Sequence, residues 1–295
     1  MNIPLHLYDP RRGEPAFRVE RLEDARWPEG AQRANYFTVL WLPDGGTYHA
    51  GEATHALSGA ALVFFQPYQI FHLERSRTRH PDGTVLQFHA NFLCIETHHD
   101  EIGCNGVLFN EVYGSPHVPV DGDLVEGITN LVTQMRYELD HGGLAHTELL
   151  VSYLKVLLIK ATRRKLELGT VTEEASLSRS PEVVDRFVEL VERHYQKLHA
   201  PADYATMLHL TPKALGRAVK RALGRTPTQI VKERLIKHAQ WQLLHTLRPV
   251  KEIAAEVGLE DEFYFSRLFK QAIGLSPVKY REFETTIRGG RNLSM

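Results

Sequence analysis

Apolar residues change their period along this chain, and the change divides it. Across residues 36–91, short apolar runs are broken by turn signals. Residues 36–42 are aromatic and β-branched, Asp44-Gly45-Gly46 marks a turn, and residues 60–65 run apolar up to Pro67. Pro81-Asp82-Gly83 marks another turn ahead of the strand-like segment 84–89. Short strands at this spacing predict a small barrel or sandwich. Residues 1–30 are polar and proline-rich, with no clear period. From Leu124 the period becomes helical: Leu124, Ile128, Leu131, Val132, Met135 and Leu139 form one stripe. After His141-Gly142-Gly143 a second helix is expected over 146–164. Between Leu149 and Ile159 only Ser152 and Lys155 are polar, which is wider than one buried face needs. Two readings stay open there: a helix packed between two layers, or one that is partly a subunit interface. Residues 165–180 are polar and aperiodic and read as the approach to a new domain. Ser180-Pro181-Glu182 then opens a helix with an N-cap and a proline at the first helical position.

The last third repeats itself at a fixed offset. Leu215-x-Arg217-x-x-Lys220 is echoed by Phe265-x-Arg267-x-x-Lys270, and Gly224-x-Thr226-Pro227 by Gly274-x-Ser276-Pro277. A constant offset makes the repeat structural rather than compositional. Each copy reads as a short helix, a turn, a second helix with a basic face, and a glycine stop before a proline-initiated helix. In the first copy Thr211 is the N-cap and Pro212 the first helical residue, so a helix should run to about Leu223. Leu215, Val219 and Ala222 then point inward, and Lys213, Arg217 and Lys220 outward. In the second copy Asp261 is the N-cap, and Phe265, Leu268, Phe269 and Ala272 point inward. Phe263, Arg267 and Lys270 take the outward positions, with Ser266 close to the same face. Gly258 suits a turn that needs positive φ.

An α-helix fits the major groove of B-DNA, and Arg and Lys hydrogen-bond guanine N7 and O6 there. Other cations, Arg221 among them, neutralise phosphates and hold register. Between the copies Thr226-Pro227 begins a helix carrying Ile230, Val231, Leu235, Ala239 and Leu243 and running to about His245. Such a helix would fix the separation of two reading heads, so that both enter successive major grooves roughly 34 Å apart. A shorter separation would require bent DNA or a disengaged head.

Charge supports this division. The net charge is −1, but residues 181–295 carry a net +6 and residues 1–180 a net −7. Cations gathered in one domain are the footprint of a polyanion partner. No apolar stretch reaches the length of about 18 residues that a membrane span needs. The first residues show no basic-then-apolar secretory pattern. Two cysteines, Cys94 and Cys104, make no secreted-type disulfide framework. A reduced, cytoplasmic protein is the expectation.

Residues 251–270, continuing through Gly274, Pro277 and Tyr280-Arg281, closely resemble the signature of AraC/XylS-type transcription regulators. The resemblance covers about residues 181–283. The first unit departs from it in three ways. His209 stands where the second unit has Gly258, the turn is one residue shorter, and Tyr204 takes a place where the family favours an aliphatic residue. The family implies a sequence-specific DNA-binding regulator of σ-factor-dependent bacterial promoters, often an activator that works with RNA polymerase. It implies that Lys213, Gly216 and Arg217, and Glu262, Phe263, Ser266 and Arg267, face bases. Lys220 and Lys270 take phosphate or structural positions.

Residues 36–92 resemble the cupin-like sensor half of the same family through Gly46-x-x-His49, Gly59, the 62–65 strand, Pro67-x-Gln69-x-x-His72 and Gln87-Phe88-His89-x-x-Phe92. In such a barrel the wall of a small-molecule effector pocket would draw on Trp41, Tyr48, His49, His55, Phe64, His72 and His89. Eleven of the sixteen histidines precede residue 180, which invites a metal reading. However, His49 and His55 are six apart, no His-x-His occurs, and His98-His99-x-Glu101 lacks a partner pattern. No metal and no cofactor are therefore expected, and no enzymatic activity. Pro43-Asp44 stands where sugar-sensing members carry an arginine, so sugar specificity does not carry over.

The expected fold is α+β. A cupin-like effector-sensing barrel spans 1–123, a helical dimerisation region 124–168 and a linker 169–180. An all-α domain with two helix-turn-helix units joined by a long helix spans 181–288. A homodimeric, effector-responsive regulator follows. A metal-dependent cupin enzyme with an accessory DNA module, and an effector-free dimeric regulator, are the rival readings.

Overall fold

The computed structural model describes residues 3–23, 30–74, 83–93, 107–109, 115–175 and 181–288. They form two compact units that divide between residues 175 and 176.

The first unit holds β1 (Leu5–His6), β2 (Phe17–Arg21), β3 (Arg33–Ala34), β4 (Phe37–Leu42), β5 (Gly46–Ala50), β6 (Ala53–Leu57), β7 (Ala61–Phe65), β8 (Phe71–Leu73), β9 (Thr84–Phe88) and β10 (His117–Pro119). Two helices follow, α1 (Asp123–His141) and α2 (His146–Ala175). The strands form a five-stranded antiparallel sheet in the order β10-β7-β4-β9-β2 and a three-stranded sheet in the order β6-β5-β8, with β1 paired to β3. Among the described residues the two larger sheets do not close into one barrel.

The large sheet is buried on both faces at its centre, so β4, β7 and β9 are buried almost throughout, while the edge strands β2 and β10 are only partly buried. On one face Phe17, Val39, Trp41, Leu62, Phe64, Leu86, Phe88 and Val118 pack with Ile128, Val132 and Met135 of α1 and Leu150, Leu154, Leu157, Leu158 and Ala161 of α2. On the other, Leu40, Leu42, Val63, Phe65 and Val85 pack with Tyr48 and Phe71 of the small sheet. Full burial of each such side chain contributes about 1.5–3 kcal/mol, so both faces hold the unit together. Helix α2 runs on to Ala175, through residues that the sequence suggested as linker. Their lack of apolar period hides the helix, because extending an existing helix adds one hydrogen bond per residue and needs no buried face.

The second unit is all helical: α3 (Pro181–His194), α4 (Pro201–Met207), α5 (Pro212–Leu223), α6 (Pro227–His245), α7 (Val250–Glu256), α8 (Glu262–Ile273) and α9 (Pro277–Ile287). Helix α6 is its axis. It buries Ile230, Val231, Leu235, Ile236, Ala239, Leu243 and Leu244 and packs against α5, α7, α8 and α9. Its start is fixed by a capping box, in which Thr226 Oγ1 accepts from Gln229 N while Gln229 Oε1 accepts from Thr226 N. Among the described residues no helix is long and apolar enough to cross a membrane.

Candidate nucleic-acid interface

Helices α4–α5 and α7–α8 are two helix-turn-helix units, one on each side of α6. In each, the second helix is set by its N-cap. Thr211 Oγ1 accepts from Ala214 N at 3.2 Å, and Asp261 Oδ1 accepts from Phe263 N at 2.8 Å and Tyr264 N at 3.0 Å. Both helices stop at left-handed glycines, Gly224 at φ 67° and Gly274 at φ 94°. Leu215 and Val219 of α5, and Phe265, Phe269 and Ile273 of α8, are buried and seat the helices. Leu268 and Ala272 are only half-buried, and Ala222 is exposed rather than inward, because it lies in the last turn of α5.

The outward faces carry the sequence candidates. Lys213, Arg217, Lys220 and Arg221 on α5, and Phe263, Arg267 and Lys270 on α8, are exposed, while Gly216, Glu262 and Ser266 are half-buried. A Cβ built on Gly216 meets no heavy atom within 4 Å, so internal packing does not require the glycine there.

Several arginines of this unit are held by carboxylates. Arg225 pairs with Glu233 at 2.6 Å, Arg234 with Glu192 at 2.8 Å and Arg288 with Glu284 at 3.1 Å. Arg248 pairs with Glu252 and Glu256. Arg281 donates to the carbonyls of Leu243 at 3.0 Å and Arg248 at 2.6 Å, satisfying groups at and just beyond the end of α6. Lys213, Arg217, Lys220, Arg221, Arg267 and Lys270 make no ion pair with any described residue. Their charge is available to an external anion.

Helix α6 also carries part of a polar cluster. His238 of α6 meets Tyr195 Oη through Nδ1 at 3.1 Å and Glu256 of α7 through Nε2 at 3.0 Å. Gln242 Nε2 donates to Glu256 at 2.7 Å. Burial, then the charges of Arg234 and Arg248, lower the His238 pKa. Burial, then Arg234, lowers Lys237 to about 8. Sequence reasoning missed these residues, because the contacts join separate elements: Tyr195, just beyond α3, His238 and Gln242 on α6, and Glu256 on α7.

In the first unit the seven effector candidates are not brought together. Trp41 and Phe64 face the helices α1 and α2, not the space between the sheets. His89 is buried against Tyr8, with ring centroids 4.5 Å apart, and its Nδ1 accepts from Asn91 N at 3.2 Å. His49 and His72 lie on the outer side of the small sheet. There His49 bonds Glu74 at 2.7 Å and Thr54 at 2.9 Å, and the two imidazoles are 5.4 Å apart. On the inner side of that sheet Tyr48 and His55 stack at 4.8 Å.

They meet a residue that the sequence did not single out, His117 of β10. Tyr48 Oη lies 2.7 Å from His117 Nδ1, Ser115 Oγ lies 2.8 Å from it, and Lys165 Nζ donates to the Ser115 carbonyl at 3.0 Å. Burial, then His55 and Lys165, push His117 down to about 4, so the imidazole is neutral near pH 7. Among the described residues no group of three or more His, Cys, Asp or Glu side chains is arranged to hold a metal ion. Cys94, His98, His99, Glu101 and Cys104 lie outside the described residues.

A family model described as a helix-turn-helix domain matches residues 204–282. The transcriptional activator RhaR of an Enterobacter species is 25% identical over 176 residues, covering 59% of this chain and 60% of its own length. The chain thus spans less than two thirds of that relative. The transcriptional activator RhaS of the same Enterobacter strain is 27% identical over 287 residues, 94% of this chain and 96% of its own. The C-terminal domain of AraT, a response regulator from Geobacillus stearothermophilus, is 34% identical, covering 36% of this chain and 88% of that domain with a TM-score of 0.34.

Proposed function

We propose that this chain, an AraC/XylS-type transcription regulator, binds duplex DNA by placing α5 and α8 in successive major grooves. One observation carries the reading: the second helix of each helix-turn-helix unit presents exposed cations, Lys213, Arg217, Lys220 and Arg221 on α5 and Arg267 and Lys270 on α8, that make no ion pair with any described residue. Lys213, Gly216 and Arg217, and Glu262, Phe263, Ser266 and Arg267, are the base-facing set. Lys220, Arg221 and Lys270 hold phosphates. The relatives RhaR and RhaS are named as activators. We take the same sign here, with RNA polymerase as partner, a cytoplasmic setting and no catalytic activity. Helices α1 and α2 leave Tyr137, Leu149, Val156 and Leu166 exposed, which suits a homodimer.

The experiment is enrichment of the full-length protein on a randomised duplex library, followed by binding to the winning sequence across salt. Log affinity should fall linearly with log salt, with a slope of about −0.9 per neutralised phosphate. Failure to enrich any sequence, or a flat salt dependence, would overturn the reading.

Effector binding falls to the Tyr48–His55–His117 cluster, within the cupin-like half, rather than to a seven-residue barrel lining. A second reading, an effector-free dimeric regulator, is favoured by the apolar side chains of Leu40, Tyr48, Val63 and Phe65 that pack between the sheets. A metabolite screen by thermal shift on wild type and His117→Ala separates the two. A compound that stabilises only the wild type supports the effector.

A further inference from the structure

We propose that Phe263 reads the C5-methyl group of a thymine, so that the second unit requires a thymine beside the base taken by Arg267 while the first unit does not. This rests on the DNA-reading function above and assigns its specificity.

Phe263 is 78% exposed, a large ring left in water in the first turn of α8. It is not loosely placed. Asp261 accepts from the backbone N–H of Phe263 at 2.8 Å and from the next residue at 3.0 Å, which fixes the direction in which its side chain leaves the helix. Arg267 follows four residues later on the same face, exposed and without an ion pair to any described residue.

Glu260, Asp261 and Glu262 precede the ring, and Asp261 is engaged in capping the helix. The face of Phe263 continues along α8 through Arg267 and Lys270, which make no ion pair with any described residue. That face suits a polyanion rather than an apolar protein surface. Within the major groove the thymine methyl is the apolar group that base edges present. Four helical residues span about 6 Å, and successive base pairs are about 3.4 Å apart. The thymine therefore lies within about two base pairs of the Arg267 contact. The matching residue of the first unit is Lys213, a donor suited to guanine N7 or O6. The two heads therefore differ at this register: the first asks for an acceptor and the second for a methyl.

The test uses the full-length protein and the sequence enriched from the randomised library. Replacing the thymine with deoxyuridine removes the methyl and keeps the pairing. Wild type should bind the deoxyuridine duplex about 3- to 5-fold more weakly, the weight of one apolar carbon. Phe263→Ala should bind the two duplexes equally. Arg267→Ala should bind both more weakly but keep the ratio between them. Equal binding by wild type, a ratio that survives Phe263→Ala, or an enriched site with no thymine within two base pairs of the guanine lost in Arg267→Ala would overturn the assignment, even though DNA binding stands. Enrichment of no sequence at all would instead remove the DNA-reading function itself.

Discussion

In both helix-turn-helix units the turn passes through a left-handed residue two positions beyond the first helix, but the residue differs. It is His209 at φ 55° in the first unit and Gly258 at φ 81° in the second. The hydrogen bond that closes the turn is the same in each, Leu210 N to Ala205 O at 2.8 Å and Leu259 N to Ala254 O at 2.9 Å. The turn conformation alone therefore does not demand glycine. Close packing does: a Cβ on Gly258 would sit 1.9 Å from the carbonyl oxygen of Gln196, in the segment that joins α3 to α4. The second turn is docked against the body of the domain. The first has an exposed imidazole at the same point. One unit is held through its turn, and the other mainly through the buried faces of its helices.

The sharpest way to break this contrast is Gly258→Ala. Left-handed strain and a clash with backbone should together cost about 2–5 kcal/mol of stability, read by urea unfolding of the full chain. A cost near that of a surface substitution would erase the distinction.

Next come the two arginines proposed to face bases. Arg217→Ala and Arg267→Ala should each lose about 1–3 kcal/mol of sequence-specific DNA binding, measured by fluorescence anisotropy. A loss confined to Arg267 would show that the docked unit alone reads.

The caps should follow at about 0.5–2 kcal/mol. Asp261→Ala is expected to exceed Thr211→Ala, because Asp261 accepts two backbone N–H groups and Thr211 one. Thermal denaturation would rank them.

Smallest is His209→Gly, which should stabilise by about 0.5–1 kcal/mol by removing left-handed strain from a non-glycine residue. Loss of stability there would mean that the imidazole makes a contact the turn depends on.

The helical second unit was legible because its signals are local. Thr211, Asp261, Thr226 and Ser276 cap the helices they precede, and Gly258 marks a turn. The close approach of Gln196 to that glycine was not legible, since it joins residues far apart in sequence. The front half gave up its strands but not their faces. Alternation says that Val39 and Trp41 point the same way. It does not say which way is inward when both faces of a sheet are covered, and here they point to the helices. His117 was invisible because β10 is only three residues long and carries no pattern.

Helix α6 has one more consequence. It is a single rod of 19 residues with a bonded start, and one helix-turn-helix unit is mounted beyond each end. Adding or deleting one residue within it would swing one head by about 100° around the axis and slide it by about 1.5 Å relative to the other. Under the proposed reading, substitutions on α5 or α8 would respell the recognised letters one at a time. The gap between the two words would be locked in phase by the helical screw and would change only by a jump.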